Sequence, residues 1–87
     1  MIEDFEEFWR ACPRRVGKTY AYKCYRRVRI DVPHTVLMRG IKRYFDYVLA
    51  NMIEDQFVCH PSTWLLHGRW LDEYNDVVAR PELKAVG

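Results

Sequence analysis

The chain has 87 residues, of which 49% are hydrophobic, 15% aromatic and 30% charged, with a net charge of +2. These values indicate one small globular domain with little room for a deep substrate pocket, so we expect a protein that is not an enzyme and needs no cofactor. No apolar run approaches the roughly 18 residues of a membrane span and the N-terminal segment is acidic, so we expect a cytoplasmic protein without a membrane partner.

The first predicted helix covers residues 2–12. Its apolar side chains recur at the spacing of one helix face, and they are Phe5, Phe8, Trp9 and Cys12. Acidic residues are concentrated in the first turn, where the helix dipole favours anions. Pro13 ends the helix, and the segment from Pro13 to Gly17 is predicted to be a connector.

The second predicted helix covers residues 18–30 and is amphipathic and basic. Its apolar face repeats the same spacing with Ala21, Cys24, Tyr25 and Val28, while the other faces carry Lys23, Arg26 and Arg27. Pro33 breaks the chain before the next helix.

The third predicted helix is long and covers residues 34–52. One stripe of it is apolar and consists of Leu37, Ile41, Tyr44, Phe45, Val48 and Met52. Gly40 lies inside this helix, where glycine costs on the order of 1 kcal/mol relative to alanine. Its presence therefore predicts either close packing against a neighbour or a local bend.

The fourth predicted helix begins near Pro61, after an irregular link over residues 53–59, and runs to about Tyr74. Its apolar side consists of Trp64, Leu65, Gly68, Trp70 and Leu71. No segment alternates between apolar and polar residues as a strand would. We therefore predict an all-α fold, a compact bundle of about four helices with short loops in one domain over residues 1–74, and a C-terminal tail over 75–87 that frays.

Short loops also favour consecutive helices that pack nearly antiparallel or as helical corners.

Metal-binding and catalytic motifs have little support. The cysteines are odd in number and lack CxxC spacing, which favours reduced thiols. The histidines, together with Cys59, lack the paired spacing of a tetrahedral zinc site, so we expect no metal site. We expect each histidine either to form hydrogen bonds within the protein or to lie on the surface. These histidines are His34, His60 and His67. The sequence contains no nucleophile elbow and no complete phosphate-binding loop, so we assign no catalytic residue.

The near-neutral total charge hides three blocks of opposite sign. Residues 1–12 carry a net charge of −3, residues 13–43 carry +9, and residues 44–87 carry −4. Seven of the ten bases in the central block are arginines, which suit bidentate contact with phosphate or carboxylate. The ten bases are Arg14, Arg15, Lys18, Lys23, Arg26, Arg27, Arg29, Arg39, Lys42 and Arg43.

Two interpretations of this block remain open. In one, the bases form a solvated surface that pairs with acids from the flanking blocks. In the other, they bind nucleic acid or a partner protein, and we then expect the contacts from Arg14, Arg15, Lys18, Lys23, Arg26, Arg27, Arg39, Lys42 and Arg43. Tyr20 and Tyr22 alternate with these cations and are candidates for stacking on bases, or else they simply cover the surface.

The order of motifs resembles a small helical module found at the C-terminal end of bacteriophage replication initiators and helicase-loader-like proteins. The resemblance covers residues 5–73 and rests on three segments. These are Phe5-x-x-Phe8-Trp9-x-x-Cys12-Pro13-Arg14-Arg15, then Ala21 with Cys24-Tyr25-Arg26, and Pro61-x-x-Trp64-Leu65 followed by Arg69-Trp70-x-Asp72-Glu73. In the module, Tyr usually stands at the position of Cys12 and Trp at that of Tyr25.

The resemblance implies a helical phage or prophage protein that stands alone and acts in the bacterial cytoplasm. The shared residues are mostly large apolar groups at helical spacing, so we assign to the structural core Phe5, Phe8, Trp9, Tyr25, Trp64, Leu65 and Trp70. Two functions follow as expectations. The first is a replication accessory module that binds DNA through a basic face on residues 14–43. The second is a protein-directed inhibitor or adaptor, such as an anti-CRISPR or other anti-defence protein, that occupies a surface of a host or phage protein complex.

Overall fold

The computed structural model describes residues 2–72, which contain four α-helices, two short 3₁₀ turns and no strand. The helices are α1 (Ile2–Ala11), α2 (Lys18–Val28), α3 (His34–Ala50) and α4 (Pro61–Leu66). The first 3₁₀ turn is Asp55–Phe57 and the second is Arg69–Leu71. This architecture confirms the predicted all-α fold of about four helices, and the predicted tail lies outside the described residues.

None of the helices within residues 2–72 has both the length and the apolar character that crossing a membrane requires.

The first three helices lie where the apolar periodicity predicts them, each ending one or two residues earlier than predicted. α2 begins directly after Gly17, whose φ of 70° is a left-handed conformation that favours glycine. The predicted irregular link before Pro61 contains the first 3₁₀ turn.

The prediction that the fourth helix continues to about Tyr74 is wrong. α4 ends at Leu66, because Gly68 adopts a left-handed conformation with φ of 64°. A residue in this conformation ends a helix, and the chain then turns into the second 3₁₀ turn. The reversal places Trp70 against α3 instead of extending it along the axis of α4.

Aromatic rings connect the helices through the centre of the domain. The ring of Tyr25 lies 5.5 Å from that of Phe5 and 5.6 Å from that of Phe8. The ring of Phe8 lies 5.7 Å from Trp64, which meets Trp70 edge-on at 6.2 Å. Such pairs each contribute about 0.5–1.5 kcal/mol beyond the burial of their area. Rings from α1, α2, α4 and the second 3₁₀ turn therefore form one connected cluster.

The residues assigned to the core from sequence fall into two groups. Five are at most 2% exposed, namely Phe5, Phe8, Tyr25, Trp64 and Leu65. Trp9 and Trp70 are partly buried and pack against this core. Trp64 is thus the only one of the three tryptophans that is fully enclosed.

The helices pack mainly in alternate pairs. α2 lies most extensively against α4, and α1 lies against α3. Contact between the consecutive helices α1 and α2 is smaller. This differs from the neighbour-on-neighbour packing that short loops favour. The difference arises because the amphipathic faces of the helices, rather than the loop lengths, select the partner.

Gly40 lies where the second 3₁₀ turn crosses α3. A Cβ atom at this position would lie 2.7 Å from the Cα of Trp70 and 3.2 Å from Cη2 of Trp64. Of the two alternatives predicted for Gly40, close packing or a local bend, the structure shows close packing, and the partner is the backbone of Trp70.

Cys12, directly after α1, links the stability of the fold to pH. Its side chain is 1% exposed and its thiol donates to the carbonyl oxygen of Phe8 at 3.3 Å. Burial raises the pKa of the thiol from 9.0 to about 12, with the charge of Arg15 acting weakly in the opposite direction. Because the pKa is higher in the folded than in the unfolded protein, this stabilisation is complete below pH 9 and is lost as the pH rises towards 12.

We expect the free energy of unfolding to fall above pH 9 faster in the native protein than in Cys12→Ala, by up to about 1.4 kcal/mol per pH unit. Urea denaturation of both proteins at pH 7, 9, 10 and 10.5 measures the difference. Burial also raises the pKa values of Tyr25 and Tyr44, which both proteins share, so subtracting the two curves removes their effect. Parallel curves would contradict the assignment to Cys12.

Candidate functional site

Two cations of the basic block form ion pairs with acids of α1. The Nζ atom of Lys18 lies 3.1 Å from the carboxylate of Glu6. The guanidinium of Arg29 lies 3.8 Å from the carboxylate of Asp4. The interpretation that the bases pair with flanking acids therefore applies to the side of α2 that faces α1.

Two further arginines bind backbone carbonyl groups and so hold the fold together. Arg14 donates to the carbonyl oxygen of Asp55 at 2.8 Å and to that of Val58 at 3.3 Å. Arg43 donates to the carbonyl oxygen of Trp70 at 2.9 Å. These contacts fasten the connector before α2 and the long helix α3 to the two 3₁₀ turns. Arg14 and Arg43 were both predicted to bind a ligand, and the structure gives each a role in the fold.

The other six cations of the block are exposed and form no hydrogen bond or ion pair within residues 2–72. They are Arg15, Lys23, Arg26, Arg27, Arg39 and Lys42. Three of them lie on α2, two lie on α3, and one lies in the connector between α1 and α2. The structure therefore divides the predicted basic face into separate regions.

The three α2 cations line one open groove of about 750 Å³ between α2 and the end of α4, which we call the α2 groove. Its walls consist of Tyr20, Lys23, Cys24, Arg26, Arg27, Ile30 and Leu66. Three of these side chains are apolar or aromatic and yet strongly exposed: Tyr20 at 56%, Ile30 at 80% and Leu66 at 52%. The α2 groove thus combines positive charge with apolar surface that nothing in residues 2–72 covers.

Tyr20 and Tyr22, the two candidate stacking residues, lie in different surroundings. Tyr20 lines the α2 groove. Tyr22 is half-buried, its ring lies 5.0 Å from that of Phe5, and the guanidinium of Arg26 lies 5.7 Å from its centroid. Both tyrosines come from one helix, but only Tyr20 contributes to the groove.

The cations of α3 lie elsewhere. Lys42 lines a smaller groove of about 240 Å³ between α1 and α3, together with Arg10, Ala11, Phe45 and Asp46. This groove shares no residue with the α2 groove, and it contains both signs of charge. It is therefore a weaker candidate for binding an anion.

His34 connects three helices through two hydrogen bonds that the sequence did not reveal. Its Nδ1 atom lies 2.7 Å from the hydroxyl of Tyr25, and its Nε2 atom lies 2.8 Å from a carboxylate oxygen of Glu7. A hydroxyl, an imidazole and a carboxylate follow one another here, as they do in the catalytic triad of a serine hydrolase. However, Tyr25 is fully buried, so its hydroxyl cannot reach a substrate, and the arrangement is a structural bridge between α1, α2 and α3.

Within residues 2–72, no three His, Cys, Asp or Glu side chains come close enough together to hold a metal ion. Cys59 is half-buried, receives a hydrogen bond from Arg69 at 2.9 Å, and its backbone N–H donates to the hydroxyl of Tyr44 at 2.9 Å. Cys59 is therefore held within the protein's own contacts.

Sequence reasoning missed Ile30 and Leu66 as residues of the α2 groove. The sequence could have indicated Ile30, because it recurs at helical spacing with Tyr20, Lys23 and Arg27, on a different side of the helix from the apolar face. No sequence pattern could have indicated Leu66, because it belongs to α4 and reaches the groove only through tertiary packing.

A family model matches most of this chain. It is described as the Legionella vir region protein LvrA C-terminal domain and matches residues 1–67. The chain therefore belongs to this family. No curated protein and no solved structure matches the chain. The resemblance to the phage replication module stays a prediction.

Proposed function

We propose that this member of the LvrA C-terminal domain family is a non-enzymatic module that binds the phosphate backbone of nucleic acid through the α2 groove. The observation that carries the proposal is the arrangement of Lys23, Arg26 and Arg27 around an open groove without an acidic partner in residues 2–72. Glu6 and Asp4 of α1 pair instead with Lys18 and Arg29. Lysine and arginine on such a surface supply the sequence-independent part of nucleic-acid binding.

The packing of α2 supports contacts to the backbone rather than to base edges in a major groove. In a helix-turn-helix motif, two consecutive helices pack together and the second enters the groove. Here α2 packs mainly on α4. The consecutive helices α2 and α3, which residues 29–33 connect, do not pack together as a compact pair. Phosphate contacts position a protein on nucleic acid without reading its sequence.

The biological setting of this binding is inferred from the resemblance alone. A replication accessory role, a phage or prophage origin and action in the bacterial cytoplasm stay predictions. The family description names a vir region protein and states no activity.

The test compares two variants that lose the same charge at different places. The groove variant is K23Q/R26Q/R27Q, and the control variant is R15Q/R39Q/K42Q; each removes three exposed cations that have no partner within residues 2–72. We expect the groove variant to bind a labelled oligonucleotide at least about 10-fold more weakly than the native protein in 50 mM salt. The control variant should stay within about threefold, because its cations lie outside the α2 groove.

Salt dependence provides the second measurement. Three phosphate contacts to a single strand give a slope of about −2 in log affinity against log salt, so affinity should fall about 20-fold between 50 and 200 mM. Fluorescence anisotropy measures both quantities, and thermal melting checks that each variant folds. Equal losses in the two variants, or no binding by the native protein at 50 mM salt, would overturn the proposal.

A protein partner is the second candidate function, and the exposed apolar side chains of Ile30 and Leu66 favour it. Such a partner would present an acidic segment with apolar side chains to the α2 groove. A specific partner recovered from bacterial lysate should bind the control variant and not the groove variant. This outcome, with no binding of oligonucleotides, would support the inhibitor or adaptor function instead.

A further inference from the structure

We infer that the α2 groove selects single-stranded over double-stranded nucleic acid, with a base stacked on the ring of Tyr20. This inference rests on the proposed function and adds the class of nucleic acid to it. It is carried by the position of an exposed ring and two exposed aliphatic side chains among the groove cations.

The groove residues form one stripe along α2. Tyr20 stands at one end of the stripe, Lys23 and Arg27 follow it, and Ile30 lies two residues beyond the end of the helix. At a helical rise of 1.5 Å per residue, Tyr20 and Arg27 are about 10 Å apart along the axis. Stacked nucleotides advance about 3.4 Å each, so this length corresponds to about three nucleotides. A short single strand therefore matches the stripe.

The surface of the groove fits unpaired bases better than a duplex. Duplex bases are stacked on one another, and a protein on the outside of the helix meets only phosphates and base edges. A duplex would place charged phosphates against the exposed apolar surfaces of Ile30 and Leu66. A single strand can direct its phosphates to Lys23 and Arg27 while its bases lie against the apolar walls and the Tyr20 ring.

The stacking role belongs to Tyr20 and not to the neighbouring Tyr22. The ring of Tyr22 packs on Phe5 and lies beside the guanidinium of Arg26, whereas Tyr20 is 56% exposed. Tyr20 also has no hydrogen-bond partner within residues 2–72, so its hydroxyl does not fix the ring inside the protein. Its ring is therefore the aromatic surface that the α2 groove offers to a ligand.

The experiment measures the affinity for a labelled 12-nucleotide single strand and for a hairpin duplex of the same composition in 50 mM salt. We expect the native protein to bind the single strand more tightly. Tyr20→Ala should lower the single-strand affinity about 10-fold and change the duplex affinity less than twofold, because only unpaired bases can stack on the ring. Tyr20→Phe keeps the ring and should bind like the native protein.

Phe57→Ala is the matched control, since Phe57 is 72% exposed and does not line the α2 groove. It should leave both affinities unchanged. If Tyr20→Ala binds the single strand normally while K23Q/R26Q/R27Q does not, the stacking inference is wrong and the backbone proposal stands. Equal affinity of the native protein for both substrates would also overturn the inference. Absence of binding to either substrate would overturn the proposed function itself.

Discussion

We expect Trp64→Ala to lower the free energy of unfolding by about 3–5 kcal/mol, which is the usual range for removing a large buried aromatic side chain. Trp64 is fully buried and its ring packs against those of Phe8 and Trp70. Its Cη2 atom also lies in the close approach to Gly40. Domains of this size are stable by only about 5–15 kcal/mol, so this loss removes a large part of the total stability.

Trp64→Phe separates the contribution of the ring from that of the indole N–H. The indole Nε1 atom is buried and has no hydrogen-bond partner within residues 2–72. We therefore assign the stabilisation to apolar packing and expect Trp64→Phe to lose clearly less than Trp64→Ala. Urea denaturation followed by circular dichroism measures all three proteins, with Phe57→Ala as the exposed aromatic control. A loss below about 1.5 kcal/mol in Trp64→Ala would contradict a central role for Trp64.

Gly40→Ala should destabilise the protein by about 2 kcal/mol, although alanine is the better helix former. The added Cβ would lie 2.7 Å from the Cα and 2.8 Å from the Cβ of Trp70. Because the nearest atom belongs to the backbone, no side-chain rotation relieves the clash, and the second 3₁₀ turn has to move. Gly40→Val adds two further methyl groups and should destabilise by more than about 3 kcal/mol.

The control for this series is Asp46→Ala, at an exposed position of the same helix. Asp46 lines the small groove between α1 and α3 but forms no hydrogen bond or ion pair within residues 2–72, so its replacement mainly changes helix propensity and we expect a small gain in stability. Combining Gly40→Ala with Trp70→Ala should not restore stability, because the Cα and Cβ of residue 70 remain in place. Thermal melting measures each variant. Stabilisation by Gly40→Ala would show that α3 and the second 3₁₀ turn are not in close contact.

Local patterns in the sequence predict the helices, and they also predict that the helix packs closely or bends at Gly40. Apolar spacing depends only on residues three and four apart, so α1, α2 and α3 could be located from it. The partner of Gly40 could not, because Trp70 lies thirty residues away and reaches α3 only after Gly68 reverses the chain. The left-handed conformation of Gly68 is also what made the predicted fourth helix too long.

The candidate site could be predicted in part. Charge density marks the segment that contains the α2 groove, but it does not distinguish cations that bind a ligand from those that stabilise the fold. Arg14 bonds to the carbonyl groups of Asp55 and Val58, more than forty residues away. Leu66 likewise joins the groove from another helix. Both depend on tertiary packing, which no local pattern contains.

The alternate pairing of α1 with α3 and of α2 with α4 makes the domain hard to divide. A break in the link between α2 and α3 would leave each fragment with two helices whose main partners are on the other fragment. The segments that separate the paired helices, residues 12–33 and 29–60, have 22 and 32 residues. Folding has to close these segments before either pair can pack, so the contact order exceeds that of an up-and-down bundle. An inserted domain would therefore disturb the fold more in the link between α2 and α3, where it separates both pairs, than outside the four helices.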